Sequence, residues 1–166
     1  YATVDGAVAG DVVSLADNSA GPAVRKSSKP YENSLVGIIS TRPGITLSGN
    51  SSPEESKPVA LSGRVPVKVS TENGPIAVGD FLTSSSTAGV AMKATKPGQV
   101  IGKALEGYSN PDPHQVGKIS IFINVTFADP GNFLASLSLD DQGNMIIPKI
   151  RTSALLLDPS VASTSS

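Results

Sequence analysis

Apolar and polar residues alternate with a period of two over several short stretches of this chain. Val65, Val67 and Val69 fall on one side of a stretch whose other side carries Arg64, Pro66 and Lys68, the pattern of a strand with one buried face. Residues 117–127 repeat the pattern more strongly. Ile119, Ile121, Ile123, Val125 and Phe127 face one way, and Ser120, Phe122, Asn124 and Thr126 the other. Burying four such aliphatic side chains is worth about 6–12 kcal/mol before entropy, so this is the expected central strand. Strands are also expected at 58–62 and 64–69, hinged at Gly63, with Pro66 at an edge or a bulge because it has no N–H to give a ladder. Asn73-Gly74 supplies the positive φ of a tight reversal. The prolines of 107–115 exclude a helix there.

The scheme occurs twice. Gly10-Asp11, Gly21 and Gly37 lie 69, 68 and 65 residues ahead of Gly79-Asp80, Gly89 and Gly102. A near-constant offset across three anchors predicts an internal duplication of a Gly-Asp-initiated β-unit, about 8–40 and 77–106. In each copy Gly-Asp opens a strand after a turn, and a glycine inside the last strand, Gly37 or Gly102, marks a bulge or a close backbone approach. Residues 48–56 read as an exposed, mobile loop. A break at 128–132 separates a β-domain of residues 1–128 from a C-terminal extension, 129–166. There Asp140-Asp141-Gln142-Gly143 turns a hairpin, 152–157 is a last apolar stretch, and 160–166 is a polar tail. The expected fold is all-β, a compact barrel or sandwich with an internal duplication plus a C-terminal β-hairpin.

Composition sharpens this picture. Among 166 residues there are 16 Gly and 13 Pro, spread as punctuation between short strands, and no Trp. The core must therefore be thin and aliphatic. A net charge of −1 carries no basic footprint, which argues against nucleic acid as a partner. No apolar run approaches the roughly 20 residues of a membrane span. The absence of cysteine excludes disulfides, thiol catalysis and Cys-ligated zinc. Tyr1 stands where an initiator methionine would, so a fragment, a processed product or part of a longer chain is expected.

Residues 58–69, the Gly79-Asp80 step and 99–106 resemble a recurring β-domain. It is the intramolecular-chaperone, self-cleaving peptidase domain found near the C-terminus of phage tail-spike and neck-appendage proteins and in large bacterial surface proteins. The likeness runs from about residue 1 to 127. It implies a trimerising cap that assists fibre assembly and cuts itself from the fibre, in an extracellular, cell-surface or virion setting. The family's cleavage motif is Asp-x-x-Glu followed by aromatic residues. Only a trailing aromatic, Tyr1, is present, so the resemblance assigns no catalytic residue to this chain.

The remaining candidate chemistry reads mostly as architecture. His114, the single histidine, sits in a Pro-Asp-Pro-His loop with no Gly-x-Ser-x-Gly elbow around any serine. Asp11 and Asp80 fit turn hydrogen bonds better than an acid–base pair. Asp140, Asp141 and Asn144 offer oxygen ligands without the spacing of a calcium loop. Arg25, Lys26, Lys29, Arg42, Lys57, Arg64 and Lys68 follow outward strand faces. Asn50 and Asn124 each open a glycosylation sequon. No catalytic, cofactor-binding or metal-binding residue is assigned. The expected role is a structural, self-associating module of an extracellular fibre or surface filament. Its partners are identical subunits, as a trimer or filament, meeting through Val59, Leu61, Val65, Val67, Val69, Phe133, Leu137, Leu139, Ile146, Ile147, Leu155 and Leu156. The alternatives are a piece of the autoproteolytic domain and a glycan-binding or decoration module.

Overall fold

The computed structural model describes residues 1–17, 21–41 and 56–147. The protein is all-β. Its first five strands are β1 (Ala2–Thr3), β2 (Val12–Ala16), β3 (Ala23–Lys26), β4 (Leu35–Ile39) and β5 (Val59–Ala60), paired in the order β1-β3-β2-β4-β5. The sheet curls until Ala2 forms an antiparallel bridge to Ser56, giving a half-barrel. The next five are β6 (Ser62–Val69), β7 (Phe81–Ser84), β8 (Ala91–Lys93), β9 (Gly98–Ala104) and β10 (Gly117–Ala128). They close a barrel in which β6-β8-β7-β9-β10 run in the same order as the half-barrel, and β10 returns to β6. In each copy the first strand pairs parallel to the third, β1 with β3 and β6 with β8, while the other pairs are antiparallel. The duplication expected from the glycine anchors is thus a duplication of topology.

It extends to single bonds. Gly10 and Gly79 both adopt φ +90°, a conformation open to glycine and resisted by other residues. The Asp after each accepts the N–H three residues back on its carboxylate, Val8 to Asp11 Oδ2 at 2.7 Å and Ala77 to Asp80 Oδ2 at 2.9 Å. Gly10 N–H donates to Ile39 O and Gly79 N–H to Ala104 O, so each turn is pinned to the end of its own last strand. Gly37 and Gly102 occupy the same place as well. A Cβ on Gly37 would lie 2.2 Å from the Ala60 carbonyl, and one on Gly102 would lie 2.1 Å from that of Phe122. Both glycines are required by a neighbouring backbone.

Each copy fills its own interior. Val13, Val24, Ile39 and Ala7, with Val36 and Val59, fill the half-barrel. Val65, Val67, Val69, Leu82, Ile101, Ile119, Ile121 and Ile123 fill the barrel, and Val12, Leu35 and Ile38 from the outer face of the half-barrel join that cluster. None of the four Phe and three Tyr side chains is fully buried, so the core is aliphatic as the composition requires.

One face assignment changes. Phe127 was expected beside Ile119, Ile121 and Ile123, yet it is 62% exposed and Ala128 is buried instead. Between Ile123 and Thr126 the chain takes three steps on β10 against two on β9. This bulge reverses the phase of every later side chain. Pro66 was expected at an edge or a bulge; it lies instead within the closed barrel, on the stretch of β6 that precedes its pairing with β8 at Val69. Its partner Ser120 directs its N–H to Glu106 and its C=O to Leu105, so the missing Pro66 N–H faces away from β10.

Contacts divide the chain into Tyr1–Phe133 and Leu134–Ser166. The second unit begins with a 3-10 turn, Leu134–Ser136, followed by the hairpin of β11 (Ser138–Leu139) and β12 (Met145–Ile146). Gly143 takes φ +83° in its turn. The expected mobile loop lies almost wholly, and the last apolar stretch and polar tail entirely, outside the described residues.

Candidate self-association surface

The twelve candidate association residues divide sharply. Val65, Val67 and Val69 are corrected. All three point into the closed barrel and are 8%, 0% and 0% exposed, because β6 turns its apolar face to its own core. Val59 packs half-buried against the core of the half-barrel. Leu61, where the chain crosses from one sheet to the other, is 53% exposed and remains available.

The C-terminal hairpin behaves differently. Phe133 lies just before the second unit and is exposed, as are Leu139, Ile146 and Ile147, while Leu137 is half-buried. Leu134 and Met145, outside the expected set, add two exposed apolar side chains. No residue of the 3-10 turn or of either strand is buried. The turn is well made: Asp140 accepts N–H groups from Gln142 and Asn144 and the Asn144 side-chain amide at 2.8–3.0 Å. The Asn144 side chain leads the set of hydrogen bonds that hold the Asp140 carboxyl below its ordinary value. This carboxylate is engaged as a turn acceptor. Leu155 and Leu156 lie outside the described residues, as do Asn50 and Arg42. Asn124 is exposed on β10, opposite Ser62 of β6.

Two polar seams join half-barrel and barrel. Asp11, 1% exposed, pairs with Lys68 at 2.7 Å, and the Gly10 carbonyl accepts the Lys68 N–H. Asp80, its counterpart, pairs with Lys93 within the barrel at 3.2 Å. At the other seam Glu32 is buried against the Arg25 guanidinium, the Ser14 hydroxyl and the Ser28 N–H, and its own N–H donates to Ser84 Oγ. Burial pushes the Glu32 carboxyl up, but Arg25, Ser14 and Ser28 outweigh it and hold the group below the usual carboxylate range. Tyr31 beside it accepts N–H groups from Thr95 and Lys96. Burial raises its phenol, yet those bonds, the Thr95 hydroxyl and the Lys96 ammonium bring it below the ordinary tyrosine value. Both seams tie parts of the fold together. His114 is exposed in its loop, with its backbone N–H on Asp112.

Two hollows lie among the described residues, and strand periodicity identified neither. One, of about 460 Å³, lies on the half-barrel among Leu15, Ala16, Asp17, Pro22, Ala23 and Ser34. The other, about 220 Å³, lies on the outer face of the barrel among Phe81, Gly102, Lys103, Phe122, Asn124 and Thr126. In the second, Lys103 pairs with Phe81 on one side and Phe122 on the other, and its ammonium stands 4.8 Å from the Phe81 ring centroid.

Among the described residues no cluster of three or more His, Asp or Glu side chains is placed to hold a metal ion, and no helix is long and apolar enough to cross a membrane. Compared with known proteins, the chain matches no family model, no curated protein and no solved structure.

Proposed function

We propose that the chain is a structural module that associates with copies of itself, in an extracellular fibre or surface filament. The observation that carries this reading is the C-terminal hairpin. Its turn is fully hydrogen-bonded, yet Leu139, Met145, Ile146 and Ile147 are 41–67% exposed. A two-stranded hairpin is marginal in water, and side chains of this kind gain about 1.5–3 kcal/mol each on full burial. An identical hairpin is the economical cover, packing apolar face on apolar face or adding strand to strand at an open edge. The resemblance of residues 58–69, 79–80 and 99–106 to tail-spike chaperone domains favours a trimer and an extracellular or virion location.

Light scattering across a concentration series tests the reading. The intact chain is expected to be an oligomer, and a Leu139→Asp, Ile146→Asp variant to shift toward monomer while its far-ultraviolet dichroism is unchanged. An intact chain that stays monomeric at all concentrations, or a variant of undiminished mass, would overturn it.

A further inference from the structure

The two hollows lie at places that the internal repeat relates to the junction between half-barrel and barrel. The repeat places Phe81, Lys103 and Phe122 of the barrel where the half-barrel has Val12, Ile38 and Ala60. In each copy the first residue follows Gly-Asp, the second pairs with it across the sheet, and the third pairs with the second from the next strand. On the half-barrel this outer row is covered. Val12 and Ile38 are 0% exposed and join the barrel's core cluster, with Ala60 packed against it. Its equivalent on the barrel is open, with Phe122 51% exposed.

The receiving side shows the converse. The barrel receives the half-barrel at Ser84, Gly89 and Gln99. Ser84 Oγ and O accept the N–H groups of Glu32 and Tyr31, Gly89 O accepts that of Val12, and Gln99 Oε1 accepts that of Leu35. Their equivalents on the half-barrel are Leu15, Gly21 and Ser34, matched by the same register and offsets. Leu15 and Ser34 line the 460 Å³ hollow beside Pro22, and Leu15 is 55% exposed. The relation that joins half-barrel to barrel therefore ends, at both extremities, in a surface that no other described residue of residues 1–133 covers.

We infer that copies of this chain associate head to tail, with the Phe81–Lys103–Phe122 row of one barrel seated in the Leu15 hollow of another copy's half-barrel. The inference rests on the reading that identical chains associate, but through a surface separate from the hairpin. Lys103 stands where the internal junction has Ile38. Its apolar stem lies between Phe81 and Phe122, its two partners in that row. The opposite hollow carries one charge of each sign, Asp17 and Arg25, so apolar shape rather than net charge is what matches there. Such a contact is heterologous. It joins two different surfaces, so it closes into a ring or continues as a filament according to the rotation it imposes.

Complementation tests it. In the hairpin-disabled full chain (Leu139→Asp, Ile146→Asp), Phe122→Asp removes the donor row and Leu15→Asp the receiving hollow. Both residues are exposed, so the fold is retained and dichroism checks it. By sedimentation velocity each added variant alone is expected to be monomeric. Their equimolar mixture is expected to form a 1:1 dimer, since one intact row meets one intact hollow, with association at least tenfold stronger than in either alone. Phe122→Ser in place of Phe122→Asp should weaken the donor side in the same direction. A mixture that remains monomeric while both variants are folded, or a single variant that assembles as far as its parent, would overturn the inference. Because the hairpin is already disabled, failure of the hairpin reading leaves this result unaffected.

Discussion

Glu32 shows how a buried carboxylate serves as a clasp. It lies in the half-barrel's β3–β4 connection, yet its N–H reaches Ser84 of the barrel and its carboxylate holds Arg25, Ser14 and Ser28. Its folded-state pKa is depressed below the ordinary value of 4.5. The stability it contributes is therefore fully present above that value and is lost as pH falls through the folded pKa. Glu32→Gln is expected to lower stability at pH 7 by about 1–2 kcal/mol, the scale of charge-assisted hydrogen bonds whose Arg25 partner is still a third exposed to solvent. It should also flatten the acid limb below pH ~4.5, as read from urea midpoints across a pH series. Asp11 and Asp80 were legible as turn residues because that chemistry is local to three residues. That Glu32 faces Ser84 across the seam was not legible, since it depends on how two halves of the chain meet.

Periodicity located strands well and their faces less completely. Residues 65–69 and 119–123 alternate as the sequence requires, because both ladders of the barrel are regular there. The bulge after Ile123 depends on what β9 offers as a partner, and nothing within 117–128 announces it. Two substitutions separate these regimes. Ile121→Ala, in the closed core, is expected to cost about 2–5 kcal/mol. Phe127→Ser, beyond the bulge, should change stability by about 0.5 kcal/mol or less in either direction. Chemical denaturation of both variants checks the pair; equal losses would place Phe127 back in the core. The same limit explains the association residues. Alternation marked Val65, Val67 and Val69 as one apolar face, but whether that face meets its own barrel or a partner is decided by β10, which pairs with β6 across a long stretch of chain.

For the whole molecule, glycine offsets of 65–69 residues foretold a shared topology, because each anchor serves a backbone need that recurs with the fold. They could not foretell that the copies differ in closure. The barrel is sealed by eight register pairs between β6 and β10. Among the described residues the half-barrel has one bridge at the same seam, Ala2 to Ser56, with Tyr1 and Lys57 exchanging N–H···O bonds at 3.0 and 3.3 Å beside it. The N-terminal strand is thus a latch on a hinged wall. Hydrogen exchange at neutral pH should show the amides of Thr3, Val4 and Lys57 opening at least tenfold faster than those of Val67 and Ile121, by an excursion that leaves the barrel intact. Each opening bares β3's outer edge for the moment it lasts. A like strand from a neighbouring chain that enters then would complete the wall in place of the molecule's own, so that a transient gap becomes a permanent exchange of parts.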